Sequence, residues 1–222
     1  MSEHELILAS RSPRRRELLK LLGLPFVVTA SDVPETPTAD ETATQLVTRL
    51  SRAKARDIKL NGRRRALVIA CDTIVALEAG PSQMEILGKP RDSEEARVIL
   101  RRLRGRSHVV YSAVTLRSPA SGATSDLVET RLTMRQYSED EIEAYVASGD
   151  PLDKAGAYAI QHPGFDPVDD IDGCYASVMG LPLCHLARRL RQRGVKPSSD
   201  VPTACQAYTD HRCAVYQEIM RS

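Results

Sequence analysis

The apolar positions of this chain fall into short runs separated by stretches of helical spacing. Glu5 to Ala9 (ELILA) is one such run, ending at Ser10, and a helical pattern opens just after Pro13 with Leu18, Leu19, Leu21 and Leu22 before Gly23. Proline suits a first helical turn, where its missing N–H would be unpaired anyway, and glycine suits a left-handed C-terminal cap. The segment predicts a strand, a tight loop and a helix, with a second strand from Pro25 to Thr29. From Glu41 to Leu60, Ala43, Leu46, Val47, Leu50, Ala53 and Ala55 recur at helical spacing among polar residues, which predicts a long amphipathic helix ended by Asn61 and Gly62. Ala66–Ala70 and Thr73–Leu77 are apolar on either side of Cys71-Asp72, the pattern of a buried strand with one polar interruption.

Gly80-Pro81-Ser82 and Gly88-Lys89-Pro90 then mark a turn-rich segment ahead of a helix from Ser93 to Leu103, with Ser93 as its cap. His108–Leu116 and Asp126–Arg135 are β-branched runs joined by the Ser/Gly-rich stretch 118–125, a hairpin pattern. Ser138 followed by Glu141 forms a capping box that opens a helix to Ala147, and Gly149-Asp150-Pro151 stops it. A Gly/Asp/Pro-rich loop region from Asp153 to Gly173 precedes a last helix, Leu183–Arg193, ended by Gly194. Residues 195–222 read as an appended tail with a short helix near Val215–Met220. The mixture of strands and long helices places the chain in the α/β class.

Composition narrows this picture. At 222 residues and 42% hydrophobic, the chain can bury one substantial core, as a single domain or a domain with a small lobe. Lys and Arg (31) nearly balance Asp and Glu (29), so no global field argues for a nucleic-acid or membrane partner and any basic site is local. MSEHELILAS lacks the basic start and apolar core of a secretory signal, and no window approaches the roughly 18 apolar residues of a membrane span, which predicts a cytosolic protein. The five cysteines, odd in number and without C-x-x-C spacing, read as free thiols.

Several positions could carry chemistry. Ser10-Arg11-Ser12-Pro13-Arg14-Arg15 stands at a strand-to-helix junction, where free backbone N–H groups, the positive end of the helix dipole and guanidinium forks together make a phosphate cradle. The same string also reads as a capped surface helix with solvated arginines. An aspartate inside an apolar strand is expensive unless hydrogen-bonded, paired or metal-bound, so Asp72 points to a site, with a structural hydrogen bond as the alternative. Lys89 and Lys154 lie in turn-forming loops and, taken singly, read equally as solvated lysines. Glu35 and Asp72, from separate segments, would suit a hard Mg²⁺ or Mn²⁺ ion that also binds phosphate oxygens. Arg63-Arg64-Arg65 reads as a solvated turn, and Cys205, His211 and Cys213 lack a fourth ligand at zinc-like spacing. No P-loop and no G-x-S-x-G motif is present.

In chain order, five strings resemble the Maf family: Leu8–Leu19 (LASRSPRRRELL), Cys71-Asp72-Thr73, Gly88–Asp92 (GKPRD), Ser148–Gln161 (SGDPLDKAGAYAIQ) and Val178–Leu183 (VMGLPL). The resemblance spans residues 5–193. It implies an α/β fold akin to inosine-triphosphate pyrophosphatases, a mixed sheet with flanking helices and a two-lobed cleft, and frequent homodimers. On that basis residues 1–196 form the pyrophosphatase domain and 197–222 an extension without a counterpart in the family pattern. Also implied is metal-dependent release of pyrophosphate from nucleoside triphosphates. Position by position, Asp72 matches the family's proton acceptor; Ser10, Arg14, Arg15, Lys54, Lys89 and Lys154 match its phosphate-side residues; and Glu35 matches a carboxylate near the metal. The string from Asp153 to Gln161 is similar to the subgroup acting on dTTP and UTP, with Arg14, Thr73 and Gln161 as specificity positions. Cys71 and His162 depart from the family's usual Ala and Gly. A non-catalytic nucleotide-binding regulator of septation or growth arrest is the competing expectation, against which Asp72, Lys89 and Lys154 argue because pure binding needs no general base.

Overall fold

β1 (Glu5–Leu8) and α1 (Pro13–Lys20) open the fold, in a computed structural model that describes residues 4–38, 40–80 and 83–221. The chain continues through β2 (Phe26–Val28), α2 (Ala43–Asp57), β3 (Ala66–Gly80), β4 (Gln83–Leu87), α3 (Ser93–Leu103), β5 (Ser107–Ser118), β6 (Gly122–Met134) and α4 (Glu139–Ala147). Two 3₁₀ turns (Asp150–Asp153 and Ala155–Ala157) lead to β7 (Val168–Asp172), α5 (Tyr175–Val178), α6 (Leu183–Gln192), α7 (Val201–Thr209) and α8 (Tyr216–Arg221). This is the α/β class that the pattern predicts, with the mixed sheet and flanking helices that the resemblance implies.

The strands form one sheet in the order β2-β1-β3-β5-β6-β7, with β4 also on β3. β1 runs parallel to β2 and β3, whereas β4, β5, β6 and β7 pair antiparallel to their neighbours. β3 organises the site. On one side it pairs continuously with β5 from Val68 to Ala76; on the other it pairs with β1 only through Ile69 and with β4 only from Val75. The sheet forks between those points, and Asp72 and Thr73 sit at the fork. Side chains alternate along a strand, so Asp72 shares the face of Ile74 and Ala76, which pack against Leu46, Val47 and Leu50 of α2. Thr73 shares the opposite face with Cys71 and Val75, in the main core with α1 and α6.

Local chemistry explains most boundaries. Thr42 and Gln45 make a reciprocal capping box at the start of α2, and Ser138 and Glu141 make the predicted one at α4. Gly23 takes the left-handed conformation (φ 66°) that ends the first helical segment. The cap of α3 is Asp92 rather than Ser93: its carboxylate accepts the Glu95 N–H at 2.8 Å, which a charged oxygen at a helix N-terminus does better than a hydroxyl.

Three elements lie where the sequence predicts turn, loop or tail. The turn-rich segment contains β4, whose residues pair with the far half of β3; the Pro81-Ser82 turn lies outside the described residues. The loop region 153–173 contains β7, an edge strand (VDDID) held by β6. Residues 201–209 of the tail form α7, capped by Asp200. The tail docks on the body: Ser198 donates its N–H to the Leu22 carbonyl (3.0 Å) and its hydroxyl to the Gly23 carbonyl (2.6 Å), and Val201 and Ile219 are buried. No helix among the described residues is long and apolar enough to cross a membrane.

Candidate active site

A cleft of about 520 Å³ opens at the fork. Its walls come from the loop between β1 and α1, the segment 31–35, the end of α2, the open edge of β3, Lys89, and the segments 153–161 and 178–180. Every residue singled out from the sequence lines it: Ser10, Arg14, Arg15, Glu35, Lys54, Asp72, Thr73, Lys89, Lys154 and Gln161. Ligands of α/β sheets commonly sit where neighbouring strands diverge in this way, because loops there leave a crevice between strand ends.

Lys54 is the electrostatic centre. It projects from the buried face of α2 and donates to Asp72 Oδ1 and to Glu35 Oε1, each at 2.5 Å. Lys89 Nζ donates to the other Glu35 oxygen at 3.2 Å. Asp72 and Lys54 are almost fully buried, 6% and 7% exposed. Burial raises the Asp72 carboxyl above its ordinary 3.8, an effect that Lys54 and Arg15 oppose without cancelling and Glu35 reinforces. For half-buried Glu35, burial also pushes upward, but the Lys54 hydrogen bond and the charges of Lys54 and Lys89 together outweigh it, and the group is lowered to about 2. Two carboxylates bound to one ammonium thus have opposite proton affinities: Asp72 is the stronger base.

On the other side of β3, Ser12 caps α1, accepting the Arg15 N–H at 3.4 Å, while its own N–H reaches Ser10 Oγ at 3.1 Å. Arg15 is anchored to the Gly180 carbonyl through Nε (2.8 Å) and donates through Nη2 to Thr73 Oγ1 (3.3 Å). Thr73 Oγ1 lies 2.8 Å from Ser112 Oγ, which donates to the Ser177 carbonyl at 2.7 Å. Since Ser112's proton is committed to that carbonyl, Thr73 supplies the proton between the two hydroxyls, which leaves it only lone pairs to offer a ligand. Lys154, 5% exposed, donates to the Asp150 carbonyl (2.5 Å), Asp150 Oδ1 (2.9 Å) and Asp153 Oδ1 (2.5 Å). Arg14 Nη1 lies 3.9 Å from that same Asp153 oxygen.

Two participants carried no sequence signal as site residues: Asp32, which pairs with Arg11 of the predicted cradle at the mouth of the cleft, and Ser112, which reaches Thr73 from a strand 39 residues away. Asp153 does have a visible cue in its place beside Lys154, a carboxylate next to a cation in a turn. Elsewhere, Cys205, His211 and Cys213 meet Cys174 and Cys184 around a small apolar cavity under the C-terminal extension. Among the described residues no group of three or more His, Cys, Asp or Glu is arranged to hold a metal ion.

A family profile described as "Maf-like protein" matches residues 5–193. A dTTP/UTP pyrophosphatase of Myxococcus xanthus is 47% identical over 190 residues, covering 86% of this chain and 93% of that relative. One of Salinibacter ruber is 46% identical (84% and 89% covered), and one of Geotalea uraniireducens 43% identical (87% and 97%). Among solved structures, the Staphylococcus aureus Ham1 protein aligns over 93% of this chain and 98% of its own at 14% identity and a TM-score of 0.44, a likeness too slight to bear on the site.

Proposed function

Because the chain belongs to the Maf family, we propose that it hydrolyses pyrimidine nucleoside triphosphates, dTTP and UTP foremost, to the monophosphate and pyrophosphate. The observation that carries this reading is the meeting, at one fork of the sheet, of the buried Asp72 carboxylate with cationic side chains from separate chain segments. Asp72 accepts a proton from a water whose oxygen attacks the α-phosphorus; the bond from that phosphorus to the bridging oxygen breaks, and pyrophosphate leaves with the bridging oxygen. Ser10, Arg14, Arg15 and Lys89 bind phosphate oxygens, Lys154, whose three N–H groups are held by Asp150 and Asp153, stands beside them on the phosphate side, and Lys54 holds Asp72 in place while offsetting charge.

The carboxylates suit a hard divalent cation. Their nearest oxygens each touch the Lys54 ammonium at 2.5 Å, so they lie no further apart than twice that distance, and each carboxylate keeps a second oxygen for a metal ion. Bound by Glu35 and Asp72, Mg²⁺ or Mn²⁺ would polarise phosphate oxygens as a Lewis acid. For base choice, Gln161 offers a donor and an acceptor to a pyrimidine edge, and an acceptor-only Thr73 favours bases with a ring N–H, as thymine and uracil have, over cytosine. Arg14 is the third specificity position. A nucleotide-pool substrate puts the enzyme in the cytoplasm. Residues 1–196 carry the reaction and 197–222 brace them.

The test is incubation of the full chain with Mg²⁺ or Mn²⁺ and dTTP, UTP, CTP, GTP, ATP or 7-methyl-GTP, separating monophosphate, diphosphate, pyrophosphate and phosphate. Expected are equal amounts of monophosphate and pyrophosphate, with dTTP and UTP leading, and turnover lower by about 10²-fold or more in Asp72→Asn. Nucleotide binding without turnover would overturn the reading in favour of a regulator, and near-normal turnover in Asp72→Asn would remove that residue from its role.

A further inference from the structure

Between the phosphate-side Lys154 and the base-side Gln161 the backbone passes through two consecutive left-handed residues, Gly156 (φ 71°) and Ala157 (φ 58°). The second is costly for a residue with a Cβ, and such conformations persist only when their surroundings hold them. Val75 blocks any side chain at Gly156, its Cγ2 standing 2.9 Å from where a Cβ would be. Part of the hold comes from α4. The hydroxyl of Tyr145, a residue 2% exposed, accepts the Ala159 N–H at 2.9 Å and donates to Asp150 Oδ2 at 2.7 Å. Asp150 in turn receives Lys154 Nζ on its other carboxylate oxygen and on its carbonyl. The Tyr145 ring is stacked on Phe165 (4.3 Å between centroids, 13° between planes) and meets His162 edge-on at 4.8 Å. One buried hydroxyl therefore ties down both ends of the segment, and Tyr145 itself is not part of the cleft wall.

We propose that Tyr145 is a positioning residue that fixes Lys154 and the Ala159–Gln161 backbone in one register, and through Gln161 sets the enzyme's preference among pyrimidine bases. The proposal rests on the reading of Gln161 as a base-contacting residue. A rigid link of this kind matters because a base is rejected only when the amide that would pair with it cannot shift to a second position. With the hydroxyl gone, the Ala159 N–H and an Asp150 oxygen lose a buried partner, and the segment is free to relax.

The experiment is a double-mutant cycle on the full chain with Tyr145→Phe, which keeps the ring packing, and Gln161→Ala. Preference is read as the dTTP:CTP ratio of kcat/KM, with KM and kcat separated, and also as the ratio of nucleotide dissociation constants, so that it can be measured with or without turnover. Tyr145→Phe is expected to lower the ratio by about 5–10-fold, chiefly through KM for dTTP, and to add nothing further in the Gln161→Ala background. Equal losses for both nucleotides, or effects of the two substitutions that simply multiply, would overturn the coupling. If Gln161→Ala alone leaves the ratio unchanged, the base-reading role of Gln161 falls, and the coupling through it falls with it. Should Tyr145→Phe fail to fold, Asp150→Ala removes the acceptor of the Tyr145 hydroxyl proton and is judged by the same cycle.

Discussion

Lys54 Nζ stands 2.5 Å from an oxygen of Asp72 and 2.5 Å from one of Glu35, and both lysine and aspartate are buried. Breaking such a cluster by removing its one shared cation leaves the Asp72 carboxylate unpaired in a poorly solvated place, whereas Glu35 keeps Lys89. Lys54→Met is expected to destabilise the protein by about 3–5 kcal/mol. Adding Asp72→Asn to Lys54→Met should restore part of that loss, since the amide needs no counter-ion. Urea denaturation of wild type, both single variants and the double variant checks it; a double variant no more stable than Lys54→Met would mean that the aspartate charge is not what Lys54 compensates. The same residues mark how far a site is legible in sequence. Asp72 stands out because a carboxylate inside an apolar strand requires an explanation. Lys54 has no such contrast: on an amphipathic helix a lysine ordinarily faces water, and only the resemblance picked it out. Asp150 and Tyr145 are further from reach, because a buried tyrosine in a helix looks like core whether or not its hydroxyl is in use.

Among elements, those with their own start and stop chemistry were the legible ones. α1 opens on proline and ends before a left-handed glycine, α4 opens on its capping box, and β3 is an apolar run broken only at Cys71-Asp72-Thr73 before its polar end. β4 and β7 lack such marks because they are edge strands whose polar residues face solvent, so their pairing comes from the neighbouring strand rather than from their own pattern. α7 was hidden within a proline- and serine-rich stretch, where Asp200 as cap and Pro202 in the first turn are visible only once a helix is expected. α7 and α8 fasten the extension to the body through Val201 and Ile219, and Arg188 of α6 reaches the Ile219 carbonyl at 3.3 Å. Ile219→Ala should lower stability by about 2 kcal/mol with kcat unchanged, because it loosens a brace outside the cleft. Thermal melting alongside the pyrophosphate assay checks both halves, and a fall in kcat at a temperature where the variant is folded would show that the extension does more than brace.

For the whole molecule, acid stability depends on two histidines far more than on the small net charge. His108 on β5 is 1% exposed with Nε2 2.7 Å from the Tyr158 hydroxyl, and burial lowers it from 6.5 to about 4. His185 on α6 is also lowered to about 4, chiefly by burial, with Asp126 opposing the shift and Arg188 and Arg189 adding to it. In both cases the unfolded chain binds the proton more readily, so stability is fully present above about pH 6.5 and is lost as pH falls from there toward 4. Each shift corresponds to on the order of 3 kcal/mol across that window. Glu35, held at about 2, acts in the same direction but lower down, between its ordinary 4.5 and 2, whereas the raised Asp72 favours the fold in acid. The urea midpoint should therefore fall steeply between pH 7 and 4.5, before most carboxylates titrate. His108→Gln keeps a polar partner for Tyr158 and removes one titrating group, so it should reduce the steepness by roughly half even if its own stability at pH 7 is lower. A variant whose midpoint falls with pH as steeply as wild type would shift the explanation from these histidines to the carboxylates of the cleft.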